Sequence, residues 1–160
     1  MKTVGDKIEK FAVTGINPGS DQFFDITDET WSNKWKVIVY YPKDFTFVCP
    51  TEIVAYDKLA TDFKDRDAVL LTGSTDNEFC KVAWQKAHDD LRKISHTQFA
   101  DTQRGELSLI EQLGVFYAPA GAALRATFIV DPDNVIQHVT VNNLNVGRSP
   151  EETLRVLDAL

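Results

Sequence analysis

Cysteine is scarce in this sequence, and long hydrophobic runs are absent. The two cysteines, Cys49 and Cys80, are too far apart to form a Cys-x-x-Cys pair, which excludes a zinc knuckle and a dithiol oxidoreductase loop. No run approaches the roughly 18 apolar residues that span a bilayer, and the first six residues contain no apolar signal-peptide core. We therefore expect a cytoplasmic protein, in which a structural disulfide is not favoured.

Positive charge is also in short supply. Asp and Glu number 24 against 17 Lys and Arg, so the net charge is −7 and the pI is about 4.9. Nucleic acids and anionic membranes bind positively charged surfaces, so we expect neither as a partner. Glycine-rich phosphate loops are missing, and His88, His96 and His138 lack a metal-ligand spacing. We predict no cofactor and no metal site, with the three histidines as surface or capping residues.

What remains is the composition of a folded globular protein, with 43% hydrophobic and 26% charged residues. The chain has 160 residues, and we expect residues 1–160 to form a single domain. A domain of this size buries about two-thirds or more of its unfolded surface. It therefore needs neither a metal nor a disulfide to fold.

Hydrophobic periodicity predicts an alternation of strands and helices. Short apolar runs rich in β-branched and aromatic residues predict strands at residues 37–41, 68–71, 126–130 and 135–141, the last two forming a hairpin. Apolar spacing of three and four predicts helices at residues 50–63, 77–88, 106–113 and 150–160, whereas residues 15–28 have the composition of a loop. This alternation predicts an α/β fold whose sheet is parallel in its first part. The closing hairpin and final helix indicate a thioredoxin-like fold, a central mixed sheet flanked by helices.

The junction between the first predicted strand and the first helix carries the strongest chemical signal. In open α/β sheets, such junctions hold ligands and reactive groups. Pro50 suits the first helical position because it has no N–H to lose, and this places Cys49 at the helix N-terminus. There the helix dipole and free N–H groups stabilise an anion, so we expect the nucleophilic thiolate form of Cys49 to be favoured.

Three further residues are candidates for an anion site around this thiolate. Thr46 lies three residues before Cys49, so a helical turn would bring its hydroxyl toward the sulfur. Pro42 would shield the pocket and restrict its backbone. Arg125 has apolar neighbours in the sequence, and a guanidinium in such surroundings usually has a specific anionic partner.

The run Pro-Lys-Asp-Phe-Thr-Phe-Val-Cys-Pro-Thr-Glu at residues 42–52 resembles the peroxidatic motif of typical two-cysteine peroxiredoxins. It is most similar to the motif of the bacterial AhpC type, the alkyl hydroperoxide reductases. The resemblance extends over nearly the whole chain, with further matches at residues 73–76, 125–132 and 146–148. It implies a cofactor-free peroxidase that reduces hydrogen peroxide and organic hydroperoxides in antioxidant defence.

The resemblance also implies a role for each matching residue. Cys49 would attack the terminal oxygen of the peroxide and become a sulfenic acid. The Thr46 hydroxyl and the Arg125 guanidinium would contact both the sulfur and the polarised peroxide. Pro42 would shield the pocket from solvent.

A second matched pair, Glu52 and Arg148, would support these residues, with Glu52 accepting hydrogen bonds from the arginines. The partners implied by the family are a hydroperoxide and an external thiol reductant, either thioredoxin-like or a dedicated reductase. The family also implies a homodimer, and relatives also assemble into rings of dimers.

The chain departs from the family pattern at its end. Typical members carry a resolving cysteine in a tail beyond the last helix, whereas this chain stops at Leu160 without one. A removed tail, a tail not included in this chain, and a one-cysteine cycle with an external thiol all stay open, and the abrupt end favours a missing tail. Cys80 is the other candidate resolver, but its place early in a predicted helix favours a small packing residue.

Two other functions compete with a peroxidase. A redox-regulated oligomeric scaffold or chaperone would use the same fold mainly for assembly. A cysteine hydrolase or phosphatase needs a histidine base beside Cys49 or a phosphate-binding loop that ends in arginine, and the sequence indicates neither.

Overall fold

The structure, a computed structural model, describes residues 1–46 and 48–160. The strands are β1 Ala12–Ile16, β2 Phe23–Thr27, β3 Trp35–Tyr40, β4 Ala68–Ser74, β5 Thr97–Ala100, β6 Phe116–Tyr117, β7 Ala122–Ala123, β8 Arg125–Val130 and β9 Ile136–Asn142. The α-helices are α1 Val48–Asp57, α2 Ala60–Asp65, α3 Glu78–Ala87, α4 Leu109–Leu113 and α5 Pro150–Ala159, and short 3₁₀ turns lie at Leu91–Lys93 and Ala118–Ala120. Within these described ranges, none of the helices is both long and apolar enough to cross a membrane.

A seven-stranded mixed sheet forms the centre of the molecule, in the order β2-β1-β5-β4-β3-β8-β9. Strands β3, β4 and β5 run parallel, as the alternation of strands and helices predicted. Strand β8 joins β3 antiparallel and forms the predicted closing hairpin with β9. Strands β6 and β7 pair separately as a two-residue ladder.

Alternate residues of β3 point to opposite faces of the sheet, and helices cover both faces. Ile38 and Tyr40 pack in a cluster that includes Leu109 of α4. Val37 and Val39 pack on the other side with side chains of α1, α2 and α5. A strand buried on both faces needs a continuous apolar run, which explains why the sequence at residues 37–41 does not alternate.

The loop predicted at residues 15–28 is wrong, because this region contains the hairpin of β1 and β2. Gly15 suggested a loop, yet it lies in β1 directly opposite Phe24. A Cβ atom at Gly15 would come within 2.6 Å of the Phe24 ring. The glycine therefore serves close packing within a strand, and only the segment between the two strands is a connection.

The helix predicted at residues 50–63 is two helices, and it begins two residues earlier. Pro50 lies in the first turn of α1, where its missing N–H removes no intrahelical hydrogen bond. Tyr56 of α1 and Phe63 of α2 pack in one apolar cluster with their rings stacked 6.5 Å apart. The apolar spacing therefore continues across the break, and periodicity cannot detect it.

Helix starts were predicted with mixed success. Ser149 caps α5 and Pro150 is its first residue, as predicted. Asn77 caps α3 by accepting a hydrogen bond from the Cys80 N–H, so the helix starts one residue later than predicted. Helix α4 starts at Leu109 after its cap Ser108, later than the predicted residue 106. The four-residue strand β5 was not predicted, because Thr97 and Gln98 interrupt its apolar pattern.

A buried carboxyl group follows β5. Asp101 is fully buried, and its Oδ2 accepts hydrogen bonds from the Tyr40 hydroxyl at 2.8 Å and the Ile110 N–H at 2.7 Å. Its Oδ1 has no hydrogen-bond partner among the described residues. Burial raises the pKa of Asp101 to about 6, although the Tyr40 hydrogen bond acts in the opposite direction.

Asp101 is therefore expected to make stability depend on pH. Its folded pKa exceeds the unfolded value, so its contribution to stability is full below about pH 4 and is lost as the pH rises through about 6. The loss amounts to about 3 kcal/mol. Asp101→Asn keeps an oxygen acceptor but cannot ionise. The free energy of unfolding of this variant, measured with urea, should therefore not show the loss of stability that Asp101 causes in wild type as the pH rises. The exposed Asp133→Asn serves as control, and parallel pH profiles for all three proteins would contradict the prediction.

Candidate functional site

Cys49 lies in the first turn of α1, immediately after the loop that leaves β3. Its side chain is buried, with only 1% of its surface exposed, in a cluster with Tyr41, Ile53 and Trp84. The first turn of a helix presents N–H groups without intrahelical partners, which favour an anion. A thiol placed here is shielded from water and lies at the positive end of a helix.

The Arg125 guanidinium reaches this sulfur. Its Nη1 lies 3.6 Å from Cys49 Sγ, and its Nε donates a hydrogen bond to the Leu144 carbonyl at 2.7 Å. Strand β8 runs antiparallel to β3 with Thr127 opposite Val39, so Arg125 lies at the end of the sheet where β3 leads into the Cys49 loop. The predicted pairing of Cys49 with Arg125 is present in the structure, and the guanidinium favours a negative charge on the sulfur.

Glu52 follows Cys49 by one helical turn and links Arg125 to Arg148. Its Oε1 accepts hydrogen bonds from Arg125 Nη1 at 2.5 Å and from Arg148 Nη2 at 3.0 Å. Its Oε2 accepts from the Nε and the backbone N–H of Arg148, at 2.9 and 3.0 Å. Arg148 is held in turn by the Ala126 carbonyl at 2.9 Å. The structure thus brings together four of the predicted site residues.

The charges of this group do not cancel. Burial alone would raise the pKa of Glu52, but hydrogen bonds and charges of Arg148 and Arg125 outweigh it and hold that pKa below its usual range. An ionised Glu52 between two guanidinium groups leaves one positive charge in excess. That excess positive charge lies next to the Cys49 sulfur, because Arg125 Nη1 is 3.6 Å from Sγ.

Thr46 and Pro42 lie in the loop between β3 and α1. The Thr46 hydroxyl donates a hydrogen bond to the Lys43 carbonyl at 3.2 Å, and the side chain is exposed. Pro42 is half-buried. Phe47, which belongs to the motif between Thr46 and Cys49, lies outside the described residues. The roles predicted for Thr46 and Pro42 at the sulfur therefore stay predictions.

A groove of about 310 Å³ lies beside this loop, lined by Phe45, Thr46, Pro50, Trp84, Ala87 and His88. Phe45 and Trp84 form its aromatic wall, with ring centroids 5.8 Å apart. The Thr46 hydroxyl is a polar group on an otherwise largely apolar surface. Such a groove suits a small molecule with one polar end and an apolar body.

The second cysteine has a different environment. Cys80 lies in the first turn of α3 and is partly exposed, so its role as a small packing residue stays a prediction. Burial of the sulfur and the nearby carboxylates of Asp44 and Asp76 raise the pKa of Cys80 to about 11. At neutral pH, Cys80 is a thiol and a poor nucleophile. Both cysteines are free in the structure.

Sequence reasoning missed a buried charge cluster next to the loop. Ligand atoms of Asp44, Asp76 and Cys80 lie within 4.8 Å of one another, a spacing that a metal ion could use. The buried ammonium group of Lys81 lies 3.3 Å from Asp44, however, and supplies the positive charge itself. Asp44 belongs to the motif, but the sequence contains no signal that it pairs with Lys81.

The histidines occupy three different environments. His96 is buried, contrary to the surface or capping position predicted for it, with Nδ1 2.7 Å from Asp57 and Nε2 2.8 Å from the Thr72 hydroxyl. His88 follows the last residue of α3, which is the capping position predicted. His138 is half-buried on β9, 2.8 Å from the Thr140 hydroxyl.

Comparisons with known proteins agree with this geometry. A family model described as the AhpC/TSA family matches residues 4–139. Alkyl hydroperoxide reductase C of Mycolicibacterium smegmatis is 44% identical over 170 residues, which cover 100% of this chain and 85% of the relative. Peroxiredoxin TSA1-B of Candida albicans is 41% identical over 140 residues, or 86% of this chain and 70% of that protein.

Solved structures show the same likeness. The crystal structure of Enterococcus faecalis AhpC superposes with a TM-score of 0.93 at 30% identity, covering 99% of this chain and 92% of that chain. Mycobacterium tuberculosis AhpC gives a TM-score of 0.89 at 41% identity, covering 99% and 98%. The predicted thioredoxin-like fold is thereby confirmed.

Proposed function

The chain belongs to the AhpC/TSA family and is a thiol-dependent peroxidase, and from this premise we propose that the Cys49 sulfur is the atom that attacks the peroxide. The contact between Arg125 Nη1 and Cys49 Sγ at 3.6 Å is the observation that carries this proposal. The helix N-terminus and the guanidinium favour the reactive thiolate and act against the burial of the sulfur, which by itself favours the neutral thiol. Relatives named for peroxide reduction favour the enzyme over the scaffold hypothesis.

The proposed step is a two-electron displacement at oxygen. The Cys49 thiolate attacks the terminal oxygen of the hydroperoxide, so a sulfur–oxygen bond forms while the oxygen–oxygen bond breaks. The electron pair of that bond leaves with the other peroxide oxygen, the one that is not attacked. This oxygen takes up a proton and departs as water or an alcohol. The sulfur is oxidised to a sulfenic acid and the peroxide is reduced.

Arg125 is positioned to stabilise charge in this step. Negative charge moves from the sulfur to the leaving oxygen, and a fixed guanidinium favours the transition state without having to reorient. Glu52 and Arg148 act as positioning residues, because their hydrogen bonds fix the guanidinium of Arg125. We assign the Thr46 hydroxyl to the peroxide oxygens and Pro42 to shielding of the sulfur.

The substrate is a peroxide, and we propose that it includes organic hydroperoxides as well as hydrogen peroxide. Two observations support this wider range: the largely apolar groove beside Thr46, and the name alkyl hydroperoxide reductase of the relatives. A thiol reductant returns the sulfenic acid to a thiol, in two steps that release water and then a disulfide. We propose an external reductant, either thioredoxin-like or a dedicated reductase, since the Cys80 pKa near 11 makes that residue a poor resolving thiol.

We also propose that the protein, a single domain over residues 1–160, works in the cytoplasm as a homodimer or a ring of dimers. Free thiols persist in a reducing compartment. Strand β9 lies at one edge of the sheet, where its outer side can pair with a second copy. Phe45 and Phe79 are large apolar side chains that are more than half exposed. Sedimentation of the reduced protein should give a dimer or larger assembly, whereas a monomer at micromolar concentration would contradict this.

Trapping of the oxidised sulfur tests the proposed reaction. One equivalent of hydrogen peroxide in the presence of a sulfenic-acid trap should label one residue per chain, and proteolytic mass mapping should locate the label on Cys49. Cys80→Ser serves as matched control and should be labelled to the same extent as wild type. A label on Cys80, or no label on either cysteine, would contradict the proposal.

A further inference from the structure

A buried ion pair lies next to the loop that precedes Cys49. Lys81 is fully buried, and its ammonium group lies 3.3 Å from each carboxylate oxygen of Asp44. The same ammonium donates to the Ser74 hydroxyl at 2.7 Å and to the Asp76 carbonyl at 3.1 Å. All of its hydrogen-bonding capacity is thus used inside the protein.

Asp44 is held from several directions at once. Its Oδ1 accepts hydrogen bonds from the Tyr41 hydroxyl at 2.5 Å and from the Ser74 hydroxyl at 3.1 Å. Its backbone N–H donates to the Asp76 carboxylate at 2.7 Å. The next residue, Phe45, has a φ of 59°, which non-glycine residues rarely adopt. The contacts of Asp44 hold the loop in this conformation, which would otherwise relax.

The same network continues to the far end of α1. The Gln98 side-chain amide lies 3.5 Å from the Tyr41 hydroxyl and donates to the Thr72 hydroxyl at 3.2 Å. Thr72 contacts the His96 ring, and His96 contacts Asp57, which is the last residue of α1. Hydrogen bonds therefore hold the chain both before and after Cys49.

Stability alone does not explain a buried pair of this kind. Removing two charges from water costs about as much as their attraction returns, so well-packed apolar residues would stabilise the fold as well or better. What a charged and hydrogen-bonded pair supplies is a defined geometry. At this position, the geometry defined is that of the loop leading into the first turn of α1.

We propose that Asp44 and Lys81 are positioning residues for peroxide reduction, which hold the loop before Cys49 so that the sulfur stays buried beside Arg125. The proposal rests on the proposed function, because it assumes that Cys49 reacts with the peroxide. Neither residue touches the sulfur in the described contacts. Loss of one member leaves the other as an unpaired buried charge, which releases the loop, displaces the first turn of α1 and exposes Cys49.

Two rates measured on four variants test this proposal. The variants are Asp44→Asn, Lys81→Met, the double variant D44N/K81M, and Lys86→Met, an exposed lysine on the same helix as control. The first rate is the reaction of Cys49 with hydrogen peroxide in a single turnover. The second is alkylation of Cys49 by iodoacetamide, which needs an accessible thiolate but no aligned peroxide.

Both single variants should react about 10²-fold more slowly with peroxide, because a displacement of about 1 Å at a reacting group costs that much. Both single variants should be alkylated several-fold faster, because the displaced loop exposes Cys49 to the reagent. The two substitutions change the local charge in opposite directions, so a purely electrostatic effect on the thiolate would move their alkylation rates in opposite directions. The double variant leaves no unpaired buried charge, and the amide that replaces the Asp44 carboxylate still accepts from Tyr41, so most of the peroxide rate should return.

Each contrary result has a distinct meaning. A wild-type protein that fails to react with peroxide overturns the proposed function itself. Single variants that react with peroxide as fast as Lys86→Met overturn the positioning role alone, as do alkylation rates that move in opposite directions or a double variant no better than the singles. If the single variants do not fold, the proposal is tested on the double variant and on Tyr41→Phe. Tyr41→Phe removes one donor to Asp44 without burying a charge, and a wild-type peroxide rate in it would overturn the proposal.

Discussion

Replacement of Cys49 by serine is expected to reduce peroxide consumption to the uncatalysed background. A serine hydroxyl remains protonated at neutral pH, so the helix N-terminus and Arg125 would face a neutral oxygen instead of a thiolate. Oxygen also cannot replace sulfur as the atom that is oxidised, since the sulfenic acid is a sulfur species. The measurement is the loss of peroxide with time in the presence of an excess of a small thiol reductant.

Cys80→Ser is the matched control for this experiment. Its thiol is protonated at neutral pH because its pKa is raised to about 11, so its removal should leave the initial peroxide rate unchanged. Thiol titration gives a second readout, in which wild type and Cys80→Ser each lose one reactive thiol and Cys49→Ser loses none. Equal peroxide consumption by Cys49→Ser and wild type would show that the reactive atom lies elsewhere.

Glu52→Gln should affect both stability and catalysis. Glu52 is the carboxylate partner of two buried guanidinium groups, and a neutral amide leaves both without a counter-charge. Breaking a buried pair in this way destabilises a fold by about 3 kcal/mol or more. The Arg125 guanidinium would also lose its fixed orientation, so we expect the peroxide rate to fall about 10²-fold. Urea unfolding and single-turnover kinetics measure the two effects separately.

The exposed pair of Glu152 and Arg155 provides the control. Its geometry is comparable, with Arg155 Nη2 2.7 Å from Glu152 Oε1, but both side chains are more than half exposed. Solvent screens such a pair, so Glu152→Gln should leave stability and rate close to wild type. Equal effects of the two substitutions would contradict the role of burial at Glu52.

The same reasoning gives the pH dependence of the Glu52 contribution. Its folded pKa is depressed below the unfolded value, so the stability that it supplies is present above the unfolded pKa of about 4.5. That stability is lost as the pH falls through the folded pKa. The difference in unfolding free energy between wild type and Glu52→Gln should therefore shrink on acidification below about pH 4.5. A constant difference across this range would contradict an ionised Glu52.

The sequence by itself determined the features that depend on local patterns. The run at residues 37–41 is apolar at every position because β3 is buried on both faces, and this identified the central strand. Ser149 and Pro150 identified the start of α5 through the rules of helix capping. Pro50 placed Cys49 at the start of a helix, although the helix begins two residues earlier than the proline suggested.

Other features needed neighbours that are distant in sequence. Gly15 by its residue type suggests a loop, and only the close packing of Phe24 opposite it explains its place in a strand. The break between α1 and α2 cannot be detected from the sequence, because it leaves the apolar spacing unchanged. His96 has no sequence signal of burial, because its partners Asp57 and Thr72 come from other elements. Residue spacing describes the environment of a single element and not the element that packs against it.

The same distinction between local patterns and distant neighbours applies to the functional site. The motif at residues 42–52 predicted Cys49 as the reactive residue and, through the resemblance to peroxiredoxins, Arg125, Glu52 and Arg148 as its companions. Only the tertiary structure decided that Arg125 reaches the sulfur, because this requires β8 to lie antiparallel beside β3 and so to begin where β3 ends. The pairing of Asp44 with Lys81 was decided in the same way, by the packing of α3 next to the loop. Local patterns specify which residues can react, whereas the order and direction of the strands specify which charges surround them.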